Sequence, residues 1–271
     1  MAIVLHIHTT ASDGCFSPTD IVKSASQNGI IGMSITDHDT MNGVEEAVNC
    51  GKTCGVEVIR GIEFSVDMPD DEIHIIGYFN SPVSNEVQDI LKTLRKKRIQ
   101  RAYQILAKLS KLNIVLSIED VIKFTGASDY IGRPHIAMAM IEKNYVKNKN
   151  EAFNNFLSIG LPGYAERDNG MDIENTIKLI KDNNGIAVIA HPGVLKNRDY
   201  FDIVIKKGID GIEVFHPSHD SNLMQEFLDL AKKKNMLITG GSDYHGNGDK
   251  NPEIGNFCID YLYFCKLKEA F

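Results

Sequence analysis

Cysteine is scarce in this 271-residue chain and shows no metal-binding or redox spacing. The five cysteines (Cys15, Cys50, Cys54, Cys258, Cys265) are odd in number and include no CxxC pair. They read as reduced thiols, with no disulfide framework. A basic excess is also missing: 29 Lys and Arg face 36 Asp and Glu, for a formal charge of −7. That balance disfavours a broad binding face for duplex nucleic acid and leaves room for a small anionic substrate beside bound cations. No apolar run approaches the ~18 residues needed to cross a bilayer. The start, MAIVLHIH, lacks a basic segment and a cleavage site, so the expectation is a cytoplasmic protein with no membrane association and no obligate protein partner. Internal repeats and low-complexity tracts are absent as well. The length, together with 43 % hydrophobic residues, suits one large α/β unit with a sizeable core.

What the chain does have is nine histidines, most of them placed where an apolar run ends, beside an acid. Ile3 to Leu5 leads into His6 and His8, and Met33 to Thr36 into Asp37 and His38. Val56 to Ile62 leads into Glu63, and His74 lies within the run Glu72 to Phe79. Ile186 to Ala190 leads into His191, Ile212 to Phe215 into His216, and Leu237 to Gly241 into Asp243 and His245. In parallel α/β barrels functional groups gather at the carboxyl ends of the strands, so distant residues converge. The HIH pair sets two imidazoles on one side of a strand, within reach of one cation. By itself such a pair is more often two partly exposed strand histidines. Joined to TDHDT at 36–40, GIEFS at 61–65, AHPG at 190–193 and GSDYH at 241–245, it points to a metal site. Mixed imidazole and carboxylate ligation suits Zn, Mn or Fe.

Strand and helix signals alternate as in successive βα units. Ser17, Pro18 and Asp20 open a helix that Gly29 stops, Asn42 or Gly43 opens the next, and Asp172 and Asp220 head two more. The alternation breaks from about residue 85 to 167, where the pattern is almost wholly helical. The chain therefore divides into a barrel, 1–84 with 168–271, and a helical insertion, 85–167, capping the strand-end face. The run LRKKRIQR within the insertion reads as a solvated helix face, with Ile90, Leu94, Ile105 and Leu109 inward. The sharper alternative has Arg98 or Arg101 leaning over the site toward a second phosphate or an RNA backbone.

The segments LHIHTTASDG, SITDHDT, GIEFS, IHIIGYF, GRPHIA, IAHPG, GIEVFHPSH and GSDYHG resemble the polymerase and histidinol phosphatase (PHP) family, specifically its stand-alone phosphoesterases. The resemblance implies an α/β fold, a distorted (β/α)7 barrel related to the TIM barrel, holding two or three divalent ions at the strand ends. One ion would take His6, His8, Glu63 and Asp243. A second would share Glu63 and add His74 and His191, and a third would take Asp13, His38 and His245. Val4 stands where the family usually has Asp, so an outer carboxylate that orients a ligand is expected to be missing.

The implied activity is hydrolysis of a phosphomonoester of a small phosphorylated metabolite, foremost the 3′-phosphate of a 3′,5′-bisphosphonucleoside. Two cations ~3.5–4 Å apart hold a bridging hydroxide that serves as the nucleophile. Arg133 in GRPHIA is the expected bidentate phosphate clamp, and His135 and His219 are candidates for phosphate binding or for protonating the leaving oxygen. Alternatives are a cyclic phosphate phosphodiesterase on the same ions, a 5′-3′ exonuclease on short RNA, a histidinol phosphatase, and a non-catalytic metal-bearing module.

Overall fold

The computed structural model describes residues 2–126, 128–166, 171–246, 254–255 and 257–271. Its elements follow the alternation: β1 (Ala2–Val4), α1 (Pro18–Gln27), β2 (Ile30–Ile35), α2 (Val44–Cys54), β3 (Glu57–Asp67) and β4 (Glu72–Phe79). The helical segment contains α3 (Asn85–Ser110), α4 (Ile118–Ile122), α5 (Arg133–Glu142) and α6 (Lys149–Ala152), which runs into one π-turn. The alternation then resumes with α7 (Ile173–Asp182), β5 (Ile186–Ile189), α8 (Asp199–Lys206), β6 (Gly211–Phe215), α9 (Ser221–Lys234), β7 (Leu237–Gly240), β8 (Ile259–Asp260) and α10 (Tyr261–Glu269).

Local chemistry sets the helix boundaries. Ser17 accepts from the Asp20 amide at the head of α1, and Asp172 and Asp220 cap α7 and α9 in the same way. Each side-chain oxygen satisfies an amide that the first turn leaves without a partner. Gly55 ends α2 in the left-handed region, at φ 71°.

The strands form one sheet in the order β7-β6-β5-β4-β3-β2-β1-β8. It differs from a pure βα repeat at β4, which follows β3 without a helix and runs antiparallel to both β3 and β5. Its amino end, carrying His74, therefore sits at the same face as the carboxyl ends of its neighbours. β8 also pairs antiparallel, with β1. The sheet nearly closes beyond β1 and β7: Leu5 N–H donates to Gly240 O at 3.0 Å, Asp243 N–H to His6 O at 3.1 Å and His8 N–H to Tyr244 O at 2.9 Å. Gly241 permits this closure, because a Cβ there would lie 2.5 Å from the His6 backbone nitrogen.

The helical segment has its own apolar core, built from Ile105, Leu109, Val121, Ile136, Met140 and Leu157 among others. α3 belongs to two cores: Val87, Leu91 and Leu94 pack with the barrel, and Ala102 to Leu109 with the other helices. The expected barrel boundary near residue 168 lies outside the described residues. The solvated-face reading of LRKKRIQR is corrected: Arg95, Arg98 and Arg101 are all buried. They recur every third residue, so they share a face, and that face is covered by the barrel loops and the shorter helices.

Candidate metal centre

The side chains of His6, His8, Asp13, His38, Glu63, His74, His191, Asp243 and His245 meet at the strand-end face. Glu63, wholly buried in β3, is the hub. Its Oε1 lies 2.9 Å from His74 Nδ1, 3.0 Å from His191 Nε2 and 3.4 Å from His6 Nε2. Its Oε2 lies 2.9 Å from His38 Nδ1 and 3.3 Å from His8 Nε2. Asp243 Oδ1 is 3.3 Å from His6 Nε2 and 3.0 Å from His8 Nε2, and those two ring nitrogens are 3.2 Å apart. Asp13 lies on the other side, 3.4 Å from His245, 3.8 Å from His8 and 3.9 Å from His38.

Three sets of donor atoms, each within 4.8 Å of one another, can each surround one cation: His6, His8, Glu63 and Asp243; His8, Asp13, His38 and His245; and His38, Glu63 and His74. His191 Nε2 adjoins the last set, 3.3 Å from His74 Nδ1. The arrangement departs from the expected grouping in sharing, since His8 and His38 each reach two sets. Asp13 Oδ1, His38 Nδ1 and Glu63 Oε2 are buried and make no well-aligned hydrogen bond among the described residues, although the last two lie 2.9 Å apart. Acceptors that face one another in a dry interior need a shared positive charge, so this donor set fits divalent cations.

Outer groups aim the donors. His6 Nδ1–H donates to Glu213 at 3.0 and 3.1 Å, which turns the Nε2 lone pair inward. The same carboxylate accepts from the His191 amide at 2.7 Å. Glu213 on β6 thus supplies to His6 an outer carboxylate, which the Val4 position does not, since Val4 is fully buried in the apolar core. Asp37 accepts from Thr9 N, Thr9 Oγ1 and Ser12 Oγ at 2.7, 2.7 and 2.5 Å, fixing the loop after β1. Three site residues, Asp39, His191 and Asp243, adopt left-handed backbone, at φ 50°, 27° and 49°. Such strain persists only where the surroundings enforce it.

Protein charges alone raise His6, His8, His74 and His245, whereas burial lowers His38 and His191. Burial depresses His74, but Glu63 and Glu72 outweigh it and raise its pKa to about 10. His245 also reaches about 10, because Asp243 and Asp13 overcome its burial. His38 goes the other way, to about 4, since its burial exceeds the pull of Glu63 and Asp13. Burial raises Glu63, Asp13 and Asp243, yet the surrounding imidazoles hold all three well below the usual carboxylate range.

Above His38 and His74 opens a cavity of about 90 Å³, walled by Arg98, Arg101, Arg133, Tyr130 and Phe153 from the helical segment and by Ser65 and Glu72 from the barrel. Arg133 reaches it, but its Nη2 donates to Glu72 at 2.5 Å and its Nη1 to Leu157 O at 3.3 Å. His135 and His219 do not line it. His135 Nδ1 accepts from the Gly132 amide and closes the first turn of α5. His219 Nδ1 donates to Val214 O and its Nε2 accepts from the Gly193 amide, so backbone groups occupy both ring nitrogens and none is left for a leaving oxygen. His216 sits nearer the cluster: its buried Nε2 is 3.9 Å from Asp243 Oδ2.

The PHP domain signature matches residues 5–185. The chain belongs to the PHP domain family. Among its PHP relatives, the 3′,5′-nucleoside bisphosphate phosphatase of Chromobacterium violaceum is 30 % identical over 260 residues, covering 94 % of this chain and 90 % of that one. A 5′-3′ exoribonuclease of Haemophilus influenzae is 30 % identical over 247 residues, covering 89 % of each. A Bifidobacterium adolescentis structure to which metal-dependent phosphoesterase activity is ascribed superposes with a TM-score of 0.89 at 27 % identity, covering 99 % of this chain and 96 % of that one. Among the described residues no helix is long and apolar enough to cross a membrane.

Proposed function

We propose that this metal-dependent phosphoesterase removes the 3′-phosphate of a 3′,5′-bisphosphonucleoside. The observation that carries the reading is the cluster of eight donor residues, with His191 beside it, lying beneath a cavity walled by guanidinium groups. A substrate with two phosphates suits that division, one phosphoryl group facing the cluster and the other meeting arginine.

His6, His8, Glu63 and Asp243 would hold one cation, Glu63, His74 and His191 a second, and Asp13, His38 and His245 a third, with His8 and His38 at the seams. Mn, Fe and Zn all suit such donors. Bound divalent ions supply Lewis acidity, polarising phosphoryl oxygens and making water acidic enough to attack near neutral pH. Glu213 keeps the His6 ring turned, and the helical segment acts as a cap that keeps bulk water away. A water oxygen joins phosphorus, the bond between phosphorus and the 3′-oxygen breaks, and that oxygen leaves with a proton.

A second reading, trimming of short RNA from its 5′ end, draws on a groove that continues from the cavity past Arg101 and is lined by Lys97, Gln100, Gln104, Lys108 and Tyr164. Cations along one helix face beside an aromatic ring suit a single strand. If that strand's phosphate replaces the free 3′-phosphate, the same bond breaks.

The test is to load the protein with Mn, supply 3′,5′-bisphosphoadenosine, a 5′-phosphorylated trinucleotide, a ribose cyclic phosphate and histidinol phosphate in turn, and follow the products. Phosphate released fastest from the first is the expected result. Turnover of the cyclic phosphate or histidinol phosphate alone would contradict the reading.

A further inference from the structure

We propose that Arg98 on α3 is the residue that grips a phosphate group of the substrate, donating from Nη1, with Asp39 and Ser65 as the positioning residues behind it. The proposal rests on the phosphoesterase reading and adds the recognition element that the sequence motifs assign elsewhere.

Three guanidinium groups border the cavity, and they differ in what already holds them. Both terminal nitrogens of Arg133 are engaged, by Glu72 and by the Leu157 carbonyl. Arg101 donates from Nε to Ala165 O at 2.8 Å and lies over the Tyr164 ring, at 5.1 Å from its centre, which directs it toward the groove. Arg98 is held along one edge only. Its Nε and Nη2 donate to Asp39 Oδ2 at 2.8 and 2.5 Å, and Nη2 donates also to Ser65 Oγ at 2.9 Å. Its flat face lies 4.4 Å from the centre of the Tyr130 ring. The remaining nitrogen, Nη1, has no hydrogen-bond partner among the described residues, and Arg98 lines the cavity.

The anchoring ties this guanidinium to the metal centre. Asp39 follows His38, in strained left-handed backbone, and its Oδ1 accepts from the Ser65 amide at 3.0 Å. Ser65 lies two residues beyond Glu63 on β3, so both side chains leave the same face of the strand. Tyr130, which braces the guanidinium, is itself stacked on His38, with ring centres 6.2 Å apart at 14°. Arg98 is thereby locked to Asp39 and Ser65, which stand beside the cluster residues His38 and Glu63. A buried ion pair costs much to desolvate and is weak grounds for stability. A planar donor fixed in advance loses little freedom when an oxyanion arrives. Lysine has no comparable fork.

The experiment compares Arg98→Lys, Asp39→Asn and Arg133→Lys with the parent protein, all Mn-loaded and checked for an intact melting transition. Calorimetry gives the Kd for inorganic phosphate, and kinetics give KM and kcat for 3′,5′-bisphosphoadenosine. Arg98→Lys is expected to weaken phosphate and raise KM by about 10- to 100-fold, the range for losing a hydrogen bond to a charged group, with a smaller change in kcat. Asp39→Asn should shift the same constants less, and Arg133→Lys less again. In Arg98→Ala, added methylguanidine should restore phosphate binding, which a purely structural loss would not permit. Parent-like Kd and KM in Arg98→Lys, or a larger loss in Arg133→Lys, overturns the proposal. Weakened phosphate binding in a protein that hydrolyses none of the esters leaves this assignment standing and removes the functional reading.

Discussion

The two halves of α3 live in different proteins, in effect. The first half, with Val87, Leu91 and Leu94, packs with the barrel, and the second, with Ile105, Leu106 and Leu109, packs with the shorter helices, the segment we propose as a cap. Between them stand Arg95, Arg98 and Arg101, buried where the two cores meet. The barrel side contributes a closed set of carboxylates and imidazoles held by strand ends. The cap side contributes guanidinium groups on one continuous helix. A rigid rod through both regions keeps the anion-binding part in register with the cation-binding part, and the comparison predicts that the two can be damaged separately.

The largest effect belongs to the barrel side. Asp243→Ala or His191→Ala should lower turnover by roughly 1,000-fold or more while far-UV circular dichroism stays unchanged. Full activity in either variant would dissolve the cluster as drawn. Next come the two cores. Leu91→Ala and Leu109→Ala each remove a fully buried side chain and should each cost about 2–5 kcal/mol. The first should destabilise the metal-bearing barrel, and the second should loosen the cap and raise KM with metal content preserved. Chemical denaturation together with elemental analysis separates them, and equal loss of metal in both would erase the distinction.

A smaller loss is expected from Glu213→Gln, which keeps the shape but not the charge behind His6. Metal affinity should fall by about 10- to 100-fold, the usual range for a group that orients a ligand. An isotherm identical to the parent's would show that Glu213 merely fills space.

The last effect is graded by pH. His74 and His245, at about 10 in the folded protein without metal, carry protons at neutral pH. An incoming cation must displace them, so binding should release protons and strengthen as pH rises from 6 to 8.5. Because those values lie above the unfolded imidazole value of about 6.5, their stabilisation of the metal-free fold is complete below it and is lost as pH climbs toward about 10. His38, lowered to about 4, contributes in the opposite sense and costs stability as pH falls from about 6.5 toward that value. Calorimetry in buffers of different ionisation heat counts the protons, and a count of zero would contradict the assigned charges.

Much of this was legible in the chain. The strand-end positions of His6, His8, Glu63, His191, Asp243 and His245, the caps at Ser17, Asp172 and Asp220, and the helical interruption after residue 85 all follow from local pattern. The direction of β4 was not, because an apolar run reads alike whichever way its strand points; only the four residues between Asp67 and Glu72 that are not strand hint at a hairpin. Glu213 escaped notice because alternation along GIEVF does not say which face turns toward His6. Arg98 over the site was only the second of two readings, since a charged helix face is ordinarily wet, and nothing local says that another layer covers it. His219 looked like an acid by its company, but only the fold reveals that Val214 and Gly193 occupy both its nitrogens.

The central claim is that separate strand ends build one cage for divalent cations. Its most direct test is elemental analysis of the protein saturated with Mn and desalted, alongside Asp243→Ala. At least two ions per chain, falling in the variant with the fold retained, is the predicted result. Less than one ion per chain, or the same content in both proteins, would contradict it.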